Sequence, residues 1–160
     1  MKLAAKYDIE APVDFVYAQL VDFDGWERAA MLRGADVSRI DRIQAPGPGM
    51  TWATQFHYRA KDRKATLRID ALTPQSHLAL TAMSVLVDGV MEVDLLNLGA
   101  RRTRVAVRLE VNPKTLAARI YVQALRLARS RVDRSFSQRI AQFAAEMEER
   151  FRSRVPNVAP

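Results

Sequence analysis

Few side chains in this sequence are of the kinds that carry out chemistry. It has two histidines, His57 and His77, and no cysteine, which removes disulfides, thiolate metal sites and cysteine nucleophiles together. Neither histidine has a second histidine or a carboxylate at metal-ligand spacing along its own strand. Each falls opposite an apolar set, so both are expected at solvent. Glu92 and Asp94 make a carboxylate pair, and alternate strand residues stand about 7 Å apart. That separation suits glycosidase-type acid–base work. Their face, however, is opposite Met91, Val93 and Leu95, which assigns them to an exposed sheet surface. There is no Gly-x-Ser-x-Gly elbow for a serine nucleophile. Pro46-Gly47-Pro48-Gly49 lacks the Lys-Ser/Thr pair of a Walker-type phosphate loop and reads as a turn. No catalytic residue, metal site or cofactor is expected.

The elements that must position these residues follow from periodicity. Lys2 to Glu10 reads as a strand. Pro12 then takes the first position of a helix whose buried face is Val13, Val16, Tyr17 and Leu20. Asp24, three residues before Glu27, has the pattern of a capping box and predicts a second short helix over about Gly25 to Met31, ended by Gly34. Strands follow. Asp36 to Ile43 alternates loosely, and Trp52, Thr54, Phe56 and Tyr58 share one sheet face. After a turn at Lys61-Asp62-Arg63, the inner sets are Ala65, Leu67, Ile69 and Ala71, then Leu78, Leu80, Ala82 and Ser84. Asp88-Gly89 is a hairpin signal. Beyond it Met91, Val93 and Leu95 point in, and after Gly99-Ala100-Arg101 so do Val105, Val107, Leu109 and Val111. Short turns between successive strands imply an antiparallel meander.

Asn112-Pro113 reads as a cap and first helical position, and no Gly or Pro follows before Arg154. An unbroken helix there would run on the order of 60 Å, whereas a domain of this size is about 40 Å across. The apolar stripe also changes phase. It passes from Leu116, Ile120, Ala124 and Leu127 to Leu125, Val132, Phe136, Phe143 and Met147. A break between Arg129 and Ser135, or an overhang onto a second subunit, is expected.

The order of elements is that of a known fold. With it, the segments Ile9-Glu10-Ala11-Pro12-Val13-Asp14-Phe15-Val16-Tyr17, Asp22-Phe23-Asp24-Gly25-Trp26-Glu27, Asp88-Gly89-Val90-Met91-Glu92-Val93-Asp94 and Thr103-Arg104-Val105 resemble the START/polyketide-cyclase (SRPBCC) superfamily, which includes the birch-pollen allergen. The resemblance implies an α+β helix-grip fold: a curved seven-stranded antiparallel sheet around a long C-terminal helix, with two short helices after the first strand. One such domain would span 1–154, followed by a tail over 155–160. It also implies a pocket for an apolar small molecule, but no particular reaction.

With the apolar faces turned inward, the polar groups inside would be Thr54, Tyr58 and Ser84. They are poor general bases but suit a hydrogen bond to one polar end of an apolar ligand. Trp26, Trp52, Phe56, Met83, Met91, Phe136 and Phe143 would supply the wall. The expected ligand site is therefore Trp26, Trp52, Thr54, Phe56, Tyr58, Met83, Met91, Phe136 and Phe143. The expected function is binding of a lipid, quinone or polyketide-like molecule without catalysis. A cyclase or aromatase working in the same cavity is the alternative, and a basic surface module that binds RNA or anionic membrane is the second.

Composition sets the outer bounds. The 160 residues are 49% hydrophobic and 27% charged, an ordinary globular balance for one domain. The start, Met1 to Asp8, is charged too soon for a signal-peptide core, and no apolar run approaches the roughly 20 residues of a membrane span, so a cytoplasmic protein is expected. From Asn112 to Arg154, ten Lys or Arg oppose four acids, which places a surplus of six of the net +7 in this C-terminal segment. At about 100° per residue these arginines scatter around the helix, and Glu146–Arg150 and Glu148–Arg152 are favourable i,i+4 pairs. The basic tail thus reads as a solvated surface. Nucleic acid is not expected as a partner, peripheral membrane contact stays open, and so does the choice between monomer and homodimer.

Overall fold

The computed structural model describes residues 1–154, so the tail expected at 155–160 lies outside the described residues. In chain order the elements are β1 (Lys2–Ile9), α1 (Val13–Leu20), α2 (Phe23–Leu32), β2 (Asp36–Arg39), β3 (Thr51–Tyr58), β4 (Lys61–Thr73), β5 (His77–Ser84), β6 (Val87–Gly99), β7 (Arg102–Pro113), α3 (Leu116–Leu127) and α4 (Arg129–Arg154). Seven strands form one antiparallel sheet in the order β1-β7-β6-β5-β4-β3-β2. The two short helices carry the chain from one edge to the other, and a meander brings it back. This is the α+β helix-grip architecture.

Local chemistry decides where the elements begin. Pro12 is the residue before α1 rather than its first, with extended backbone at ψ 151°. The cap of α2 is Asp22, not Asp24. Its carboxylate accepts from the Gly25 amide at 3.2 Å, and the helix starts at Phe23 as a result. A Cβ on Gly25 would meet the Asp22 carboxylate oxygen at 2.2 Å, so the glycine makes room for the cap. Asn112 and Pro113 stay in β7, and Thr115 caps α3 by accepting from the Ala118 amide at 3.1 Å.

Two turns also differ from expectation. Asp88-Gly89 lies inside β6, paired with Met83 and Ala82 of β5. The hairpin turns earlier, at Val85-Leu86, where Ser84 Oγ donates to the Val87 carbonyl at 2.5 Å and accepts from its amide. Between β3 and β4 the turn is Arg59-Ala60, with φ of 52° and 61°. Two consecutive left-handed residues match the twist of a tight hairpin, so Lys61-Asp62-Arg63 continues as strand. A bulge between Ile69 and Ala71 moves Ala71 to the outer face beside Ala79. Leu72 takes its place inward, against the core.

The long helical region breaks at Ala128, one residue before the expected window of Arg129 to Ser135. α3 crosses the end of the sheet. Its N-terminus meets the β5–β6 hairpin through Lys114 N–H on the Leu86 carbonyl at 2.8 Å. Its middle meets the β3–β4 hairpin through Tyr121 and Tyr58, whose hydroxyls are 3.3 Å apart. α4 turns away from this line and lies across the concave side, closest to β1. Met147, 1% exposed, and Ala144 enter the core with Ile9, Ala11, Val16, Val105 and Val107. Phe136, Ile140 and Phe143 pack against the same cluster.

Asp41 organises the link between β2 and β3. Its carboxylate accepts from Arg39 Nε at 2.7 Å and from Nη2 at 2.6 Å. It also accepts from the amides of Ile43 and Thr51 at 2.8 and 2.7 Å. The Arg39 guanidinium, helped by the Thr51 amide, holds the Asp41 carboxyl well below the usual carboxylate range. A depressed native pKa stabilises the fold above the unfolded value of about 3.9, and that stabilisation is lost as pH falls below it.

Two outcomes are expected from these contacts. Met147→Ala should cost about 2–5 kcal/mol in urea unfolding, and a loss under about 1 kcal/mol would mean that α4 is not held by the sheet. Asp41→Asn should lower the urea midpoint at neutral pH. The gap from the wild type should then narrow as pH drops below about 4, and a gap that stays constant with pH would exclude the carboxylate as its cause.

Candidate functional site

Because α4 lies closest to β1, the concave side of the middle strands is only partly covered. A cavity of about 760 Å³ occupies the gap, within the range of about 300–1,000 Å³ that holds small-molecule ligands. Its floor is strand residues: Trp52 and Thr54 of β3, Leu67 and Ile69 of β4, Leu78 and Leu80 of β5, Met91 and Val93 of β6, and Val107 of β7. One wall is Leu20 of α1 with Phe23, Trp26, Glu27 and Ala30 of α2 and Arg33 just past its C-terminus, and Val37 of β2 adjoins it. The other wall is α4, with Arg139, Ile140, Gln142, Phe143 and Glu146. Trp26 and Phe143 bridge the two walls, their ring centroids 5.4 Å apart. Trp26 is 43% exposed, which places this pair at the rim.

Trp52 is the fixed point of the floor. Its Nε1 donates to Glu27 Oε1 at 2.7 Å, Phe23 lies 5.2 Å from it ring to ring, and the Arg39 guanidinium sits 5.3 Å from its ring centroid. Asp41 orients that guanidinium, so the β2–β3 loop, the floor and α2 form one polar and aromatic chain. The Glu27 carboxylate is thereby engaged. Thr54 Oγ1 likewise donates to the Ala65 carbonyl at 2.9 Å, leaving its lone pairs for a ligand.

Of the nine expected ligand residues, Trp26, Trp52, Thr54, Met91 and Phe143 come together around the cavity, and four do not. Met83 pairs with Thr66 and Asp88 on the outer face of the sheet, since strict alternation sets it opposite Leu80 and Ala82. Phe56 and Tyr58 share the inner face with Trp52 but lie toward the β3–β4 hairpin, beyond the cavity. Tyr58 is drawn to α3. Its hydroxyl meets that of Tyr121, and this contact together with the nearby Arg59 pulls its pKa down. Phe136 packs in the core below α4. Ser84 closes the β5–β6 turn.

The residues that sequence reasoning missed are those of the helices and of the α2 cap: Phe23, Glu27, Arg33, Arg139, Gln142 and Glu146. A signal existed in α4, where Arg139, Gln142, Phe143 and Glu146 recur at spacings of three and four and so share a helix face.

The outer face holds the remaining candidates. His57 is exposed beside Asp62 at 3.2 Å. His77 is only half exposed, a departure from expectation, because Asp94 on the adjoining strand receives its Nδ1 at 2.6 Å. Glu92 and Asp94 both pair with Arg108, at 2.8 and 3.1 Å, and neither reaches the cavity. A second depression of about 480 Å³ lies near Lys2, Leu3, Val90 and Leu109, with the Glu92–Arg108 pair in its wall. Among the described residues no group of His, Asp and Glu is arranged to hold a metal, and no helix is long and apolar enough to cross a membrane.

No family model and no curated protein matches the chain. Solved structures do. The Zhui aromatase/cyclase from Streptomyces superposes with a TM-score of 0.64 at 17% identity, covering 94% of each chain. A START superfamily protein from Mycobacterium smegmatis gives 0.56 at 10% identity, over 89% of this chain and 98% of that one. Ara h 8.0201 gives 0.57 at 14% identity, over 96% and 98%. At such identities the likeness is one of fold, and it agrees with the strand order, the two short helices and the clasped α4. The chain has the helix-grip fold that these structures share.

Proposed function

We propose that the cavity binds one amphiphilic molecule, a lipid, quinone or polyketide-like compound, and holds it without turnover. The observation that supports this reading is a segregation. The floor is almost wholly apolar strand residues, while every ionisable group of the lining comes from α2, from Arg33 at its C-terminal cap, or from α4. The apolar body of the ligand would lie on Leu67, Leu80 and Met91. Its polar end would stay at the wall of Arg33, Arg139 and Gln142, three donors that suit a carbonyl, carboxylate or phosphate. Burial contributes about 25 cal/mol per Å² of apolar area. At about 0.3 kcal/mol per heavy atom, a ligand of about 20 atoms binds with a Kd on the order of tens of µM. The likeness in fold to an aromatase/cyclase supports the second reading, in which the same cavity folds a reactive chain for cyclisation.

The test is titration with anilinonaphthalene sulfonate, an apolar fluorophore with an anionic end. We expect saturable one-to-one binding with enhanced probe emission, and Met91→Trp should weaken it at least about tenfold by filling the floor while the helical circular dichroism persists. Unchanged affinity in that variant would place the probe elsewhere. Multiple turnovers of a poly-β-keto substrate by the purified protein, lost in Arg139→Gln, would establish the cyclase reading instead.

A further inference from the structure

We propose that the outer face of α3 lies on the surface of an anionic lipid bilayer. The helix is built the wrong way round for a surface helix of a globular domain. It is held to the protein by small residues, Ala118 and Val122 being its buried positions. Tyr121 and Leu125 are half-buried, but three large apolar residues face solvent: Leu116 is 74%, Ile120 64% and Leu127 92% exposed. At 3.6 residues per turn these three fall within about 40° of one another, opposite the buried pair, so they form one stripe. Val85, 80% exposed at the tip of the β5–β6 hairpin, extends the stripe at its N-terminal end, where Lys114 Nζ donates to the Ser84 carbonyl at 2.9 Å. An apolar ridge therefore runs along one end of the domain.

Charge decides what the ridge meets. α3 has no acidic residue. Arg119 and Arg126 line one flank of the stripe, and on the other Arg59 lies over the Tyr121 ring at 4.5 Å. Among the described residues none of these three arginines is in an ion pair; Asp88 is paired with Lys114 at 3.4 Å, Asp133 with Arg129 at 2.9 Å and Asp62 with His57 at 3.2 Å. A second copy of the chain docked symmetrically on this ridge would bring like charges together. RNA would leave the Leu and Ile side chains unburied. An anionic bilayer accepts both features, with apolar side chains at the acyl boundary and arginines among the phosphates. None of these residues lines the cavity, so this surface stands apart from the ligand site.

The experiment is flotation of the full chain with vesicles of phosphatidylcholine alone or with about one-third phosphatidylglycerol, at roughly 0.1 M and 0.5 M salt. We expect binding to the anionic vesicles that weakens with salt, and little to the neutral ones. The combined change Leu116→Ser, Ile120→Ser and Leu127→Ser should lower vesicle binding at least about tenfold, with helical content and probe binding in the cavity retained. Arg119→Gln with Arg126→Gln should lower it severalfold and flatten the salt dependence; this pair carries the test if the apolar variant fails to fold. The proposal is overturned if the wild type does not float, if the variants float as it does, or if the stripe instead drives dimerisation or RNA retention while vesicles stay unbound.

Discussion

Everything about the cavity depends on where the last helix is tied. α4 is tied to the edge strand β1 at its first residue and to the residue just past β1 in its last two turns. The Arg129 guanidinium donates to the Lys2 carbonyl at 2.5 Å, and Glu148 Oε1 accepts from the Glu10 amide at 2.9 Å. Between these ties Met147 and Ala144 close on Ile9, Ala11 and Val16. A helix laid over the middle of the sheet would fill its concavity with side chains. One clasped at the edge leaves the strands from β3 to β6 facing a gap. Such a gap forfeits dispersion contacts that close packing would supply, so the core is concentrated at the clasped end. There Thr103, the one buried polar side chain among the described residues, donates to the Ala11 carbonyl at 2.8 Å.

The sheet sorts the chemistry of that gap. Alternation sends one set of side chains inward and the other outward, and on the middle strands beneath the cavity the outward set carries the charges. Arg104 pairs with Asp8 at 2.8 Å, Arg108 bridges Glu92 and Asp94, and Thr81 donates to Asp70. Exposed pairs of this kind contribute about 0–1 kcal/mol each. Their main consequence is positional, because the strands contribute no ionisable group to the floor. Ionisable groups reach the cavity only from α2, its C-terminal cap and α4, whose faces are broad enough to show Phe143 and Arg139 side by side. An apolar floor under a polar wall is the form that an amphiphile fits.

The break at Ala128 divides the helical region by task. After it, α4 turns its apolar side to the sheet. Before it, α3 rests on Ala118 and Val122 and leaves its larger apolar residues outside. The two halves therefore bury opposite kinds of surface. That explains why the apolar stripe changes phase along the sequence, and why one continuous helix would have served neither half.

The sequence by itself determined the order of elements, the meander and the two-sided character of each strand, since these rest on period-two and period-3.6 patterns that survive any packing. It also showed Trp52, Thr54 and Met91 as inward residues and Glu92 and Asp94 as outward ones. Caps and turns were less legible, because several residues nearby could serve: Asp22 displaced Asp24, Thr115 displaced Asn112, and the hairpin turned at Val85-Leu86 although Asp88-Gly89 has the better turn residues. The tertiary structure alone decided which inward residues share a cavity. Phe56 and Trp52 have the same parity on β3, yet one faces the gap beside α4 and the other lies toward α3. Parity is a property of the strand, whereas a cavity is set by where a helix more than seventy residues away comes down on the sheet. The arginines and carboxylates of its wall belong to helices and a helix cap whose rotation only packing fixes, and no local pattern carries that information.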